Sequence, residues 1–265
     1  MAQGKYRPIP PTHPGAEKKI PGSTSCASRN FILAGAAAAL IMSVGIGIWQ
    51  HHFFEKPSGT SMPATETRCD VPNGVVVVRS PDPDDALTAC EGSRDAIMFL
   101  PSQGLDVPVD VTIELLAAMP AEASASAAGY YLESERKALI LVYSQFRKFK
   151  SWFGIPIDRS LYRSLASHEV AHSVAAYNFK IPKPSIQAKE YIAYVTQLST
   201  MEPVMRARVL AQFPSKAFED DGQMNPTIYL FDSSCFGVRA YRHFLKPANG
   251  RNYLHAILAG KALAE

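Results

Sequence analysis

His168-Glu169-Val170-Ala171-His172, a stretch with the pattern H-E-x-x-H, decides the fold that this sequence predicts. In a helix, residues four positions apart lie one turn apart on the same face, so the two imidazoles can share one metal ion. Glu169 can then lie beside that metal without binding it. This is the arrangement that a zinc hydrolase needs: two nitrogen ligands and a base next to an activated water.

The flanking sequence favours a helix around this motif. Asp158 or Ser160 is a suitable N-cap, and the pattern continues to about Phe179, before the prolines at 182 and 184 prevent further helix. The positions that recur with the period of one helical face are Leu161, Leu165, His168, His172 and Ala175. The alternative is that H-E-x-x-H occurs by chance on an ordinary amphipathic helix.

A second helix, from Ile186 to Leu198 with Ser185 as its N-cap, supplies a candidate third ligand. The helix is mostly apolar and carries one acidic residue, Glu190. A buried carboxylate must be paired, protonated or bound to a metal, because burying it alone is costly. Two histidines and a glutamate, with a fourth position for water, make a catalytic rather than a structural zinc site. The competing interpretation is that these side chains only pack in the core.

The order His168-Glu169-x-x-His172 followed by Lys189-Glu190-Tyr191 resembles the gluzincin branch of the zincin metallopeptidases, the thermolysin-like and peptidase MA-like proteins. The resemblance covers roughly residues 105–245. It implies one zinc ion held by His168, His172 and Glu190, with Glu169 as general base. It also implies an α+β zincin-like domain, in which a small mixed sheet packs on the active-site helix and a mainly helical part follows.

One position departs from the gluzincin pattern. Many gluzincins have an aspartate four residues after the ligand glutamate, where it orients a histidine ligand, but this chain has Tyr194 there. Support for the ligands must then come from another residue. Gluzincins also use a later tyrosine or histidine to stabilise the oxyanion. Tyr229, Tyr241 and His243 are the candidates, and their spacing does not single one out.

The elements before the motif fit a sheet above the active-site helix, whose edge strand could align an extended peptide. The alternative is that the sheet only covers the core. Later helices are expected at Pro203–Phe213 and 235–244. The sequence predicts a strand at Val75–Val78, a helix from Asp84 to Leu100, a strand at Val107–Leu115, and a hairpin of 130–134 with 138–142.

The N-terminal region predicts membrane attachment. Residues 1–30 are basic, rich in Pro, Gly and Ser, and expected to be disordered. Residues 31–50 carry no charge and as a helix span about 28 Å, enough for a bilayer. Residues 51–68 are predicted to be a linker, and 69–265 the zincin-like domain. A cleaved signal peptide and a buried soluble helix are the alternatives for 31–50.

The basic excess before residue 31 predicts an N-terminus in the cytoplasm of a bacterial inner membrane, with the domain on the periplasmic side. That compartment would permit a disulfide between Cys69 and Cys90. The net charge is only +3 and the cations form no long run, so nucleic acid is not an expected partner.

Together these patterns predict a membrane-anchored zinc metallohydrolase that acts on peptides or proteins. The alternative is a catalytically inactive zincin-fold protein that binds partners in the cell envelope. Intact Glu169 favours the enzyme, since a purely structural metal site has no need of that base. The tyrosine at position 194 favours the inactive protein.

Overall fold

The computed structural model describes residues 64–72, 74–108, 110–124 and 127–264. The predicted basic tail at 1–30 and the predicted membrane helix at 31–50 lie outside these residues. Within the described ranges, no helix combines the length and the apolar character needed to cross a bilayer.

The described residues form an α+β domain with a mixed sheet, as predicted. Two short 3-10 turns, Arg147–Phe149 and Asp221–Gln223, accompany the regular elements. In chain order these are β1 (Thr65–Cys69), β2 (Val75–Ser80), α1 (Pro83–Ser102), β3 (Asp110–Leu116), β4 (Gly129–Leu132), β5 (Lys137–Leu141), α2 (Tyr143–Phe146), β6 (Ser151–Trp152), β7 (Ile155–Pro156), α3 (Arg159–Asn178), α4 (Ile186–Thr200), α5 (Pro203–Gln212), α6 (Pro226–Phe231), α7 (Ser233–Phe244) and α8 (Gly250–Leu258).

Five strands form the main sheet, in the order β1-β2-β3-β5-β4. The central strands β2, β3 and β5 are parallel, whereas β1 and β4 lie antiparallel at the two edges. Side chains alternate between the two faces of each strand, so Val76 and Val78 of β2 and Ile113 of β3 point into the core and are fully buried. One edge of the sheet, β4, is therefore left next to the helical layer that carries the motif.

Strand β1 lies inside the segment 51–68 that the sequence predicts to be a linker, and that prediction is wrong for residues 65–68. Its side chains are mostly exposed and show no apolar alternation, so the sequence carries no strand signal there. Backbone pairing with β2 holds it, and Cys69 at its end forms a disulfide with Cys90 of α1. This is the pair of cysteines for which the sequence analysis proposed a bridge.

Helix α3 packs on strands β4 and β5 of the sheet and also contacts helices α1 and α4. The hydroxyl of Tyr162 donates to the carbonyl of Leu141 at 2.9 Å, which ties α3 to the end of β5. On the other side, Gly92 of α1 approaches α3 so closely that a methyl group there would collide with the carbonyl of Arg163. These contacts fix the rotation of α3 about its axis, and so the direction in which its histidines point.

Helix α7 packs against α4. The two helices approach closely at Gly237, where an added Cβ would meet the ring of Tyr194. The short helix α6, which the sequence analysis did not predict, lies between α5 and α7 in the chain. It begins after Asn225, whose side chain caps it by accepting from the Ile228 amide.

Candidate metal centre

Helix α3 brings His168, Glu169 and His172 together. The Asp158 side chain caps the helix by accepting from the amide of Leu161 at 2.8 Å, as its sequence position predicts. The two histidines are one turn apart and both are buried, and their Nε2 atoms lie 3.2 Å from each other. The two nitrogens therefore face one common point.

Helix α4 adds Glu190 to that point. Ser185 caps the helix through the Ala188 amide at 3.1 Å. The carboxylate oxygens of Glu190 lie 3.5 Å from Nε2 of His168 and 3.6 Å from Nε2 of His172. One ligand atom from each of the three residues can be chosen so that all lie within 4.8 Å of one another. His168, His172 and Glu190 are called the triad below.

The charges of the triad are strongly coupled. Burial alone would raise the pKa of Glu190, but the adjacent His172 and His168 hold it below its usual value, so the carboxylate is ionised. Burial lowers the pKa of His172 to about 4, which keeps this imidazole neutral. Burial alone would also lower the pKa of His168. The hydrogen bond to Glu190 and the charge of Glu169 outweigh burial, so the pKa of His168 is raised.

Gln197 supports His168 from the side away from the triad. Its amide nitrogen donates to Oγ of Ser164 at 3.1 Å, so its oxygen faces His168 and lies 3.2 Å from Nδ1. Nδ1 must then carry the proton, which leaves the lone pair of Nε2 for a metal. Sequence reasoning missed Gln197, although it follows Glu190 by two helical turns and therefore lies on the same face.

Tyr194, one helical turn after Glu190, is the residue that departs from the pattern predicted from the sequence. Its ring packs edge-on against His168 with centroids 4.6 Å apart, and its hydroxyl is within hydrogen-bonding reach of Ser233. Burial raises the pKa of Tyr194 well above its usual value, so the residue stays neutral. Tyr194 thus restricts the His168 ring by packing, while Gln197 supplies the hydrogen bond.

Glu169 is buried next to the triad, and one of its carboxylate oxygens has no hydrogen-bond partner among the described residues. Its side chain is 3% exposed, and the oxygen without such a partner is Oε2. Burial raises the pKa of Glu169 to about 8; the charge of His168 offsets this rise only in part, and the charge of Glu190 adds to it. A carboxyl group whose pKa lies near neutral pH can both accept and release a proton, and this one stands beside two converging imidazole nitrogens.

The edge strand β4 covers this site, which the sequence analysis did not predict at the level of residues. The Glu169 carboxylate lies against Gly129 so closely that a Cβ at position 129 would collide with it. Two residues on, the Tyr131 ring lies nearly parallel to the His172 ring, with centroids 6.4 Å apart and planes 17° apart. Gly129 and Tyr131 give no signal in the sequence, because only the tertiary fold brings β4 onto α3.

The three candidates for oxyanion stabilisation fall in different places. Tyr229, on α6, lies within hydrogen-bonding reach of Glu190. His243 bonds the hydroxyl of Tyr191 at 2.8 Å and packs against Tyr253. Tyr241 is buried on α7, and neither it nor His243 has a contact with the triad among the described residues. Of the three, the structure brings only Tyr229 to the candidate centre.

The triad fits a divalent metal. Two imidazole nitrogens lie 3.2 Å apart with an ionised carboxylate opposite, and a cation would stabilise this arrangement. Imidazole suits zinc, copper, iron and nickel, so the donor set alone does not specify the ion.

A family model described as a family of unknown function (DUF6639) matches residues 76–265. No curated protein and no solved structure gives a significant match to the chain. The matched region begins in β2 and includes α3 and α4, so every residue of the triad lies inside it.

Proposed function

The chain is a member of the DUF6639 family, and we propose that it is a zinc-dependent hydrolase whose substrates are peptides or proteins. The observation that carries the proposal is the convergence of His168, His172 and Glu190 on one point, with Glu169 beside it. Two imidazoles and one carboxylate are the ligand set of catalytic zinc sites that keep a fourth position open.

Zinc bound by the triad would supply Lewis acidity, which lowers the pKa of a coordinated water towards neutrality and polarises a substrate carbonyl. The protein's own part begins with Glu169. Its carboxylate accepts a proton from the attacking water while the water oxygen bonds to the carbonyl carbon. The same carboxyl group then gives the proton to the leaving nitrogen as the carbon–nitrogen bond breaks, so Glu169 ends in its starting state.

Tyr229 is the proposed donor to the developing oxyanion. Its hydroxyl reaches Glu190 in the absence of substrate, so a shift of one hydrogen bond would bring it to a substrate oxygen beside the triad. Burial raises the pKa of Tyr229 above its usual value, which keeps the hydroxyl protonated and able to donate.

The architecture supports the resemblance to gluzincins, and with it a zincin-like domain. A mixed sheet packs on the helix that carries H-E-x-x-H, and its antiparallel edge strand β4 lies over that helix. An unpaired strand edge next to the site can bind an extended peptide through backbone hydrogen bonds. This favours peptides over other hydrolysable substrates.

We further propose that residues 31–50 anchor the domain on the periplasmic side of a bacterial inner membrane. The disulfide between Cys69 and Cys90 supports an oxidising compartment, because such bonds persist mainly outside the cytoplasm.

One observation favours a second candidate, a metal-binding protein that cleaves nothing and binds partners. Glu169 is covered by Gly129 and almost fully buried, so in this conformation the base does not face a substrate. Under the enzyme proposal, β4 or the Glu169 side chain moves when a substrate binds.

The test is metal content followed by cleavage of a peptide library, both on the full-length chain. Mass spectrometry should find about one zinc per chain, lost in the H168A/H172A double variant. The E169Q variant should keep the zinc and lose turnover. A folded chain that takes up no zinc would overturn the proposal, whereas zinc binding without any cleavage by either form would favour the binding protein.

A further inference from the structure

Three exposed cations gather just after β5, far along the chain from the triad. Arg147, Lys148 and Lys150 are exposed, and none of them forms an ion pair with another described residue. No acidic residue occurs between Glu135 and Asp158, so the surrounding sequence does not balance their charge. Residues 147–150 are called the basic segment below.

Aromatic rings stand beside these cations. Phe149 is 39% exposed, and Trp152 is half-buried against Phe146, with ring centroids 5.5 Å apart. An open groove of about 470 Å³ adjoins them and is walled on its other side by the alanine-rich stretch 117–124. Among the described residues, Lys148 is the one charged group that lines this groove. Lysine, arginine and aromatic rings on one surface are typical of contacts with lipid headgroups.

The described chain enters the domain at the same end of the sheet as the basic segment. Strand β1 begins at Thr65, which pairs with Ser80, the last residue of β2. Because β2, β3 and β5 are parallel, Ser80 and the last residue of β5, Leu141, lie at one end of the sheet. Strand β5 is the third strand from β1, so about 15 Å separates the two along the sheet.

The proposed anchor therefore joins the domain on the side that carries the cations. Residues 51–63 connect the proposed membrane helix at 31–50 with the first described residue, Ala64. A chain of that length reaches at most about 45 Å. The domain is thus confined to the neighbourhood of the bilayer, and its basic end is the end from which the connection leaves.

We propose that the basic segment and Trp152 dock the domain on the anionic lipid headgroups of the bilayer that holds the anchor. The three cations attract anionic lipids, and Phe149 and Trp152 supply the amphipathic rings that the interface favours. The proposal goes beyond hydrolysis: it rests on the anchor at 31–50 and needs neither zinc nor turnover.

Docking would bring the candidate centre close to the bilayer. Helix α3 starts at the docked end, since Tyr162 in its first turn donates to the carbonyl of Leu141. His168 lies nine residues after Arg159, the first residue of α3, which is about 14 Å along the helix. Substrates would then be segments of proteins that lie next to the membrane surface.

The test reconstitutes the full-length W49F chain into nanodiscs, so that Trp152 is its one tryptophan. The discs contain phosphatidylcholine alone or mixed with phosphatidylglycerol, and some of the lipids carry bromine, which quenches tryptophan on contact. Quenching should be strong in the discs with phosphatidylglycerol and weak in phosphatidylcholine. Added salt should reduce it, because salt screens the attraction between the cations and the headgroups.

The R147Q/K148Q/K150Q variant in the same W49F chain removes the attraction and keeps the rings. The ratio of docked to undocked domain, obtained from the quenching, should fall by about 100-fold, since each cation near an anionic surface contributes about fivefold. The matched control is K180Q/K183Q/K261Q, which removes three exposed lysines around the other end of α3 and should leave quenching unchanged.

Three results would contradict the docking. An inserted chain without quenching in phosphatidylglycerol would overturn it and leave the cations to a soluble acidic partner. Equal quenching in both lipids, or in the triple variant and its parent, would overturn recognition by charge. A chain that does not enter the discs would overturn the anchor and the docking together, while the proposed zinc site would stand.

Discussion

The side-chain oxygen of Gln197 lies 3.2 Å from Nδ1 of His168, on the opposite side of the ring from the triad. Ser164 fixes the orientation of the Gln197 amide, because its Oγ accepts from the amide nitrogen at 3.1 Å. The neutral amide oxygen thus accepts from Nδ1 and sets the tautomer of His168. The consequence is a ring whose Nε2 is free towards His172 and Glu190.

Replacing Gln197 by alanine should therefore weaken zinc binding by about 10-fold to 100-fold without unfolding the protein. Competition with a chromogenic chelator measures this affinity. Gln197→Glu is the informative companion, because a carboxylate keeps the acceptor and makes His168 more basic, so its zinc affinity should equal or exceed that of the wild type. Unchanged affinity in the alanine variant would show that Tyr194 packing alone orients the ring.

Gly129→Ala should leave the triad able to bind zinc and disable Glu169. The added methyl group would collide with the Glu169 carboxylate, so either β4 or the base must move. Since a displacement of about 1 Å at a catalytic group can cost about 100-fold in rate, kcat should fall by that order while zinc content is retained. Gly222→Ala is the matched control, because an added Cβ there meets only the side chain of Asp220, at 3.2 Å. Equal loss of activity in both variants would contradict a local effect.

Tyr229→Phe removes the hydroxyl near Glu190 and keeps the ring, which packs against Phe236 with centroids 5.8 Å apart. If the hydroxyl donates to the oxyanion, kcat should fall by about 100-fold or more, with little change in KM. Tyr241→Phe serves as the control, because Tyr241 has no contact with the triad among the described residues. A rise in KM at constant kcat would instead assign Tyr229 to substrate binding.

The sequence predicts those parts of the site that depend on local signals. Asp158 and Ser185 are N-cap residues that can be recognised in the sequence. The apolar residues that recur with helical period after each of them identify α3 and α4. With both helices identified, His168, His172 and Glu190 follow from motif and spacing.

The rest of the site depends on contacts between elements distant in the chain, which no local pattern encodes. Gly129 looks like an ordinary loop glycine until β4 is seen lying on α3, and Tyr229 lies on a helix of only six residues. Strand β1 carries no apolar alternation, because backbone pairing and a disulfide hold it rather than burial.

The disulfide that holds β1 should contribute measurably to stability. Cys69 and Cys90 are 21 positions apart, so their bond removes about 3 kcal/mol of loop entropy from the unfolded chain. In the C69A/C90A double variant the free energy of unfolding should fall by that amount, so the protein should unfold at a lower urea concentration. The variant should still bind zinc, since neither cysteine contacts the triad among the described residues. Unfolding at the same urea concentration as the wild type would mean that the paired strands alone fix β1.

His243 should make the fold less stable in mild acid. Its side chain is 4% exposed beside the hydroxyl of Tyr191 and the ring of Tyr253, and burial, together with Lys246, lowers its pKa from 6.5 to about 4 despite the charge of Asp221. The unfolded chain therefore binds this proton more readily than the folded one between about pH 6.5 and pH 4.

The stabilisation from neutral His243 is complete above pH 6.5 and is lost as the pH falls towards 4. Between pH 7.5 and pH 5 the loss should be about 2 kcal/mol in the free energy of unfolding. Urea titrations at both pH values measure it, and His243→Asn, which cannot take up a proton, should show a smaller decrease by that amount. If the wild type and the variant lose the same stability on acidification, the charge state of His243 is not what destabilises the fold.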